Sequence, residues 1–120
     1  MPKLIVRPES RQFVGRTFKG ALKNLSKAVD TDWFAANIAP SNANATHILY
    51  IACPTETIVN LLMDDGTNSN TVMVLNTGTA LAATCLYAFQ IEVPSGYSYN
   101  IQHKTGTQLI DCWIIELGVD

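Results

Sequence analysis

Between Thr79 and Val93 the chain alternates with a period of two: Leu81, Ala83, Cys85, Tyr87, Phe89, Ile91 and Val93 are all apolar. The intervening Ala82, Thr84, Leu86, Ala88, Gln90 and Glu92 grow more polar toward the end. Successive side chains of a strand point to opposite faces, so this is the pattern of a sheet with one face on a core. At about 3.3 Å per residue, Leu81 to Val93 would span roughly 43 Å, which predicts a bend or bulge near Ala82 and Ala83.

Similar runs predict strands at Trp33 to Ala39, Thr46 to Ala52, Thr57 to Met63, Asn70 to Leu75, Tyr97 to His103 and Gln108 to Leu117. Pro40 to Asn44, Pro54, Asp64-Asp65-Gly66 and Pro94-Ser95-Gly96 punctuate them. Asn76-Thr77-Gly78-Thr79 and Lys104-Thr105-Gly106-Thr107 read as hairpin tips. Closing the second sets Ile101 opposite Ile110, Tyr99 opposite Cys112 and Tyr97 opposite Ile114; closing the first sets Val74 against Leu81. The fold class is all-β, an antiparallel β-sandwich, with the jelly roll as one such arrangement.

The period changes before residue 30. Val14, Phe18, Ala21, Leu22, Leu25, Ala28 and Val29 share one side of a helical wheel, and Arg16, Lys19, Lys23 and Lys27 the other. Spacings of three and four predict a short amphipathic helix over 12–29, weakened by Gly15 and Gly20. Residues 1–11 read as an extended arm carrying Leu4-Ile5-Val6. The expected division is therefore a basic N-terminal arm and helix over 1–29, and a sandwich over 30–120. On that division, deletion through residue 29 would leave a folded β body.

A chain of 120 residues with 48% hydrophobic content supplies one domain. Neither a long apolar span nor the pattern of a signal peptide is present, so a soluble protein made in the cytosol is expected. Cys53, Cys85 and Cys112 match no zinc or redox spacing and read as reduced, mostly buried thiols. Charge is placed unevenly: seven basic residues precede residue 28 against the single acid Glu9, a net of +6. The rest of the chain carries nine acids against Lys104, a net of −8.

That basic segment could neutralise phosphates, lie on an anionic membrane, or dock on an acidic protein; its bland reading is a solvated face. Nucleic acid is disfavoured, since no aromatic interleaving or binding motif accompanies the charges and the acidic body would repel the polymer. Docking on an acidic neighbour, including the next copy's own body, is the favoured functional reading, with Arg7, Arg11, Arg16, Lys19, Lys23, Lys27 and Phe18 as its candidate contacts.

Candidate chemistry is sparse. His47 and His103 are too few for an ordinary catalytic set and read as surface or rim residues; a pairing of His47 with Cys53 has only shared parity behind it. Asp64 to Asn70 is rich in oxygen donors but lacks the spacing of a calcium loop and reads as a polar turn. No phosphate-cradling loop or nucleophile elbow occurs, so no cofactor, metal or enzyme activity is expected. Parity sends Tyr87, Tyr97 and Tyr99 inward and leaves Trp113 outward, where it could stack on a sugar or a partner. Leu62, Met73, Leu75, Leu86, Leu109 and Trp113 all need cover; a second sheet could supply it for some, and several together point to an oligomer interface.

The closing segment LYAFQIEVPSGYSYNIQHKTGTQLIDCWIIEL, Leu86 to Leu117, has an aromatic-rich strand, a Pro/Gly turn, a Tyr-Asn strand, a Thr-Gly tip and a last apolar strand ending in Glu. With it, Thr46 to Leu117 resembles the decoration or cement proteins that bind the outside of tailed-bacteriophage heads. The resemblance implies a non-enzymatic virion component on the capsid surface, made in the host cytoplasm. It further implies a homotrimer whose N-terminal arm grips the major capsid protein, with no membrane partner. Head-fibre and tail adhesion modules, which bind carbohydrate, share such sandwiches and are the alternative.

Overall fold

The computed structural model describes residues 16–41 and 44–117. Seven strands carry the chain: β1 (Arg16–Lys27), β2 (Asn44–Ala52), β3 (Val59–Asp64), β4 (Ser69–Val74), β5 (Tyr87–Pro94), β6 (Ser98–His103) and β7 (Gln108–Leu117). They form a four-stranded sheet, β1-β7-β2-β5, and a three-stranded sheet, β4-β3-β6, with every pairing antiparallel. The expected all-β antiparallel sandwich is what forms.

The order of strands identifies which sandwich it is. The segment 30–38 runs along the free edge of β6, where the Asp30 amide donates to His103 O and the Trp33 amide to Ile101 O, and Ile38 and Tyr99 exchange a pair of bonds. Counting that segment as an irregular eighth strand, each connection crosses from one sheet to the other except the β3–β4 hairpin. This is the double-sheet jelly roll. The strand expected at Trp33 to Ala39 is thus present in position but not in regular form. Asn100 is the reason: its Oδ1 accepts the Phe34 amide, and its Nδ2 donates to Phe34 O and Asn37 Oδ1, so one side chain replaces ladder bonds.

The core lies between the sheets and is built from alternate residues: Leu49 and Ile51 on β2, Val59 and Leu61 on β3, Tyr99 and Ile101 on β6, Ile110, Cys112 and Ile114 on β7, with Trp33 closing one side. All are buried. Burial of such side chains stabilises by about 25 cal/mol per Å² removed from water.

Three expectations are corrected. The amphipathic helix is a strand: β1 pairs with β7 from Arg16 opposite Leu117 to Lys27 opposite Gln108. Two register shifts, between Phe18 and Gly20 and between Leu22 and Leu25, insert extra residues. A period of two interrupted twice yields spacings of three and four, which imitate a helix. Gly20 sits in this strand because a Cβ there would lie 3.1 Å from the Phe34 ring. Residues 16–27 therefore belong to the sandwich and not to a separate arm; 1–15 lie outside the described residues.

The two Thr-Gly tips do not close hairpins either. β4 and β5 lie in different sheets, as do β6 and β7, so both loops cross the sandwich. At the first, Asn76, Thr77 and Gly78 all take positive φ. Finally, the long strand expected at Leu81 to Val93 begins only at Tyr87. The expected bend is a turn at Ala83 and Thr84, with Thr84 at φ 57°, held by the Thr84 amide on Cys53 O and the Ala82 amide on the Tyr87 hydroxyl. The Asp64 to Ser69 turn does close the β3–β4 hairpin.

Removing residues 1–29 strips β7 of one of its two partner strands and is expected to lower stability sharply, whereas removing 1–15 leaves the sandwich intact. Urea unfolding followed by circular dichroism checks this, and equal midpoints for the two truncations would contradict the assignment. Asn100→Ala leaves buried groups unpaired and is expected to cost about 2 kcal/mol in the same assay.

Candidate functional site

Residues of β1, β7, β2 and β5 that point away from the core line up in rows across the four-stranded sheet, because the registers place them directly opposite one another. One row is Phe18, Ile115, Ile48 and Gln90; the next is Ala21, Trp113, Tyr50 and Ala88. On one side these are bounded by Arg16, Leu117, Thr46 and Glu92. On the other lie Asp111 and Ala52, with the Lys23 Nζ 3.3 Å from Asp111 Oδ1. The centre is apolar and aromatic, and the margins carry Arg16 and Glu92 on one side and the Lys23–Asp111 pair on the other. Phe18 is 63% exposed, and Leu86, just before β5, is 58% exposed.

Tyr50 and Trp113 stack at 5.1 Å between ring centroids and 16° between planes. Their strands are neighbours, about 4.8 Å apart, so the stacking direction runs across the sheet. The two nearly parallel rings are offset, so each covers part of one face of the other, and Ala21 and Ala88 are their row neighbours on either side. A sugar stacks on an open ring face, and part of one face of each ring is taken by the other.

The sequence-nominated contacts divide. Phe18 and Trp113 lie on this face, and Arg16 stands at its corner, exposed. Lys19 and Lys23 are used within the chain: Lys19 Nζ donates to Ser41 Oγ at 3.0 Å and lies 4.0 Å from Glu116 Oε1, and Lys23 pairs with Asp111. The expected docking of basic residues on an acidic body is, for these two, internal. Lys27 is half-buried at the far end of β1. Arg7 and Arg11 lie outside the described residues. Of the outward apolar residues, Leu75 is buried, Leu62 and Trp113 are half-buried, and Met73, Leu86 and Leu109 are exposed.

Beneath the face lies a polar chain that the sequence reading missed. His47 and His103 are both fully buried, not at the surface or rim. His47 Nε2 donates to Glu116 Oε1 at 2.8 Å, and its Nδ1 lies 2.6 Å from the Tyr99 hydroxyl. The Ser41 amide donates to the same Glu116 oxygen at 2.8 Å. Trp33 Nε1 donates to His103 Nδ1, leaving His103 Nε2–H for Gly106 O. The signal was parity: His47 follows the inward Leu49 and Ile51, Glu116 follows the inward Ile110, Cys112 and Ile114, and the two are register partners. Of the tyrosines expected inward, Tyr99 is buried and Tyr87 half-buried, but Tyr97 is 40% exposed in the turn before β6.

This chain has the makings of an acid–base relay but not its setting. Burial, with lesser contributions from Cys112 and Glu116, pushes the Tyr99 hydroxyl far above its ordinary value. Burial alone would raise the Glu116 carboxyl, but the Ser41 amide, the His47 ring, the Ser41 hydroxyl and Lys19 outweigh it and hold the group below the ordinary range. Burial raises the Cys53 thiol to about 11, with Asp111 adding to it, and the Cys112 thiol to about 12, so neither is a ready nucleophile. His47 bonds to Tyr99 and Glu116, not to Cys53. The Asp65 carboxylate is held below its ordinary range by the Asn68 and Thr67 amides, so it serves the turn. Among the described residues no group of three or more His, Cys, Asp or Glu could hold a metal ion, and no helix is long and apolar enough to cross a membrane.

No protein-family model matches the chain, and neither characterised proteins nor solved structures gave a match.

The Glu116 value is depressed on folding, so its stabilisation is fully present above the ordinary carboxylate range and is lost as pH falls through the depressed value. The stability gap between wild type and Glu116→Gln is therefore expected to hold from about pH 7 down to about pH 5 and to close at lower pH. Urea midpoints across that range check it; a gap that widens in acid would contradict the network.

Proposed function

We propose that this chain is a non-enzymatic virion structural protein of the decoration or cement type, which binds and stabilises the outside of a bacteriophage capsid as a homo-oligomer. The observation that carries the reading is the outer face of the four-stranded sheet, an apolar centre of Phe18, Ile115, Ile48, Trp113 and Tyr50 between charged margins. A face of that kind serves contact between proteins. The likeness of Leu86 to Leu117 to phage decoration proteins supports the same conclusion. Double-sheet jelly rolls occur in both viral capsid and lectin domains, so the fold leaves the choice to the site.

In this reading the arm before Arg16, with Arg7 and Arg11, engages the major capsid protein, and the sandwich supplies the self-contact. Apolar burial at about 25 cal/mol per Å², repeated over several linked copies, resists pressure from within by avidity. The protein is made in the host cytoplasm and resides on the capsid surface. The trimer is the oligomer that the resemblance implies.

A carbohydrate-binding head-fibre or tail module is the second reading, favoured by the aromatic pair on an exposed sheet. The stacking of Tyr50 on Trp113, which takes up part of one face of each ring, weighs against it.

The purified chain is expected to co-sediment with heads of the phage that encodes it, at a saturating copy number fixed by head symmetry, and the 1–15 truncation to lose that binding while staying folded. Binding that survives the truncation would overturn the role of the arm. No binding by the full chain, together with a glycan-array signal abolished by Trp113→Ala, would favour the second reading.

A further inference from the structure

We infer that the outer face of the β1-β7-β2-β5 sheet packs on the same face of a second copy about a twofold axis parallel to the strands. The inference rests on the reading above that the chain self-associates, and it sets the number of copies in this contact at two, where the resemblance implies three. A twofold contact uses one patch on both partners and closes at a dimer.

The registers and the charges select the axis. A twofold axis along the strands keeps each row at its level and reverses the order of strands, so β1 lies over the partner's β5 and β7 over its β2. Arg16 then meets the partner's Glu92 at two symmetric corners, and opposite charges coincide. In the adjoining row Ile115 and Ile48 meet their exchanged counterparts. The stacked Trp113 and Tyr50 meet the partner's pair on the axis, giving a cluster of four rings edge to edge. A twofold axis across the strands instead lays β1 over the partner's β1 with its ends reversed, so Arg16 faces the Lys23–Asp111 pair, Glu92 faces the Tyr87 end of β5, and the two corner charges no longer meet. Glu92 is available for the first arrangement: it is exposed, and its described contact is the Thr46 hydroxyl on Oε2 at 2.8 Å. Lys23 and Asp111 satisfy each other within the chain and leave the opposite margin near neutral.

Face-to-face sheets pack about 10 Å apart with strands within about 30° of one another, which the long Arg16 side chain spans. From Asp111 to Leu117 is roughly 20 Å, and β1 to β5 is roughly 14 Å before side chains are added. With side chains added, two such faces bury on the order of 1,000 Å², the low end of specific interfaces.

Sedimentation of the full chain from about 1 to 300 µM tests this with a charge swap. Wild type is expected to pass from monomer to dimer. Arg16→Glu and Glu92→Arg should each weaken association about tenfold through repulsion at both corners, and the double variant should recover to within about threefold of wild type. Both sites are exposed, so circular dichroism should show all variants folded. A monomer throughout, a trimer, or single variants that dimerise like wild type would overturn the twofold pairing. Head binding measured on the same preparations is read separately. Heads decorated by a monomer or trimer leave the virion reading standing, and a swappable dimer that ignores heads removes that reading alone.

Discussion

Strand β7 is hydrogen-bonded along both edges, to β1 on one side and β2 on the other, and its side chains alternate without a break from Gln108 to Leu117. One parity delivers Ile110, Cys112 and Ile114 to the core and Glu116 to the buried polar chain. The other delivers Trp113 and Ile115 to the outer face. A slip of one residue would exchange these sets, burying Asp111 and exposing the isoleucines, so the apolar core enforces the register that builds the rows outside. The outer surface is thus positioned by the inner one.

The buried polar groups serve the same end. Glu116 is taken out of water at a cost offset by the Ser41 amide, His47 and Lys19, which come from the loop before β2, from β2 and from β1. Through the Tyr99 hydroxyl the chain reaches the second sheet. A network of this kind adds little net stability over an apolar core, but it is satisfied only when both sheets and the β1 edge are in place.

Much of this was legible from alternation alone: six of the strands, the sandwich, the inward Tyr99 and the outward Trp113. The errors have physical causes. Parity cannot separate two strands that pair side by side from two that face each other across a core, because both arrangements turn Ile101 and Ile110 inward; hence the false hairpins. Two bulges in β1 turned a period of two into an apparent helical one. His47 and His103 read as superficial because polarity was allowed to outweigh parity, which His47 shares with Leu49 and Ile51 and His103 with Tyr99 and Ile101. The Tyr50 and Trp113 stack required the β2–β7 register, which no local pattern in the chain supplies.

The proposed contact at the outer face can be tested directly, because the two tryptophans provide a built-in comparison. Trp33 is buried and donates its indole N–H to His103, whereas Trp113 stands on the face. Indole N–H resonances of the nitrogen-15-labelled chain, recorded across a dilution series, report on both at once. Contact through the outer face is expected to move the Trp113 signal with concentration while the Trp33 signal stays fixed; a Trp113 signal that stays fixed throughout, in a protein that nonetheless associates, would contradict that contact.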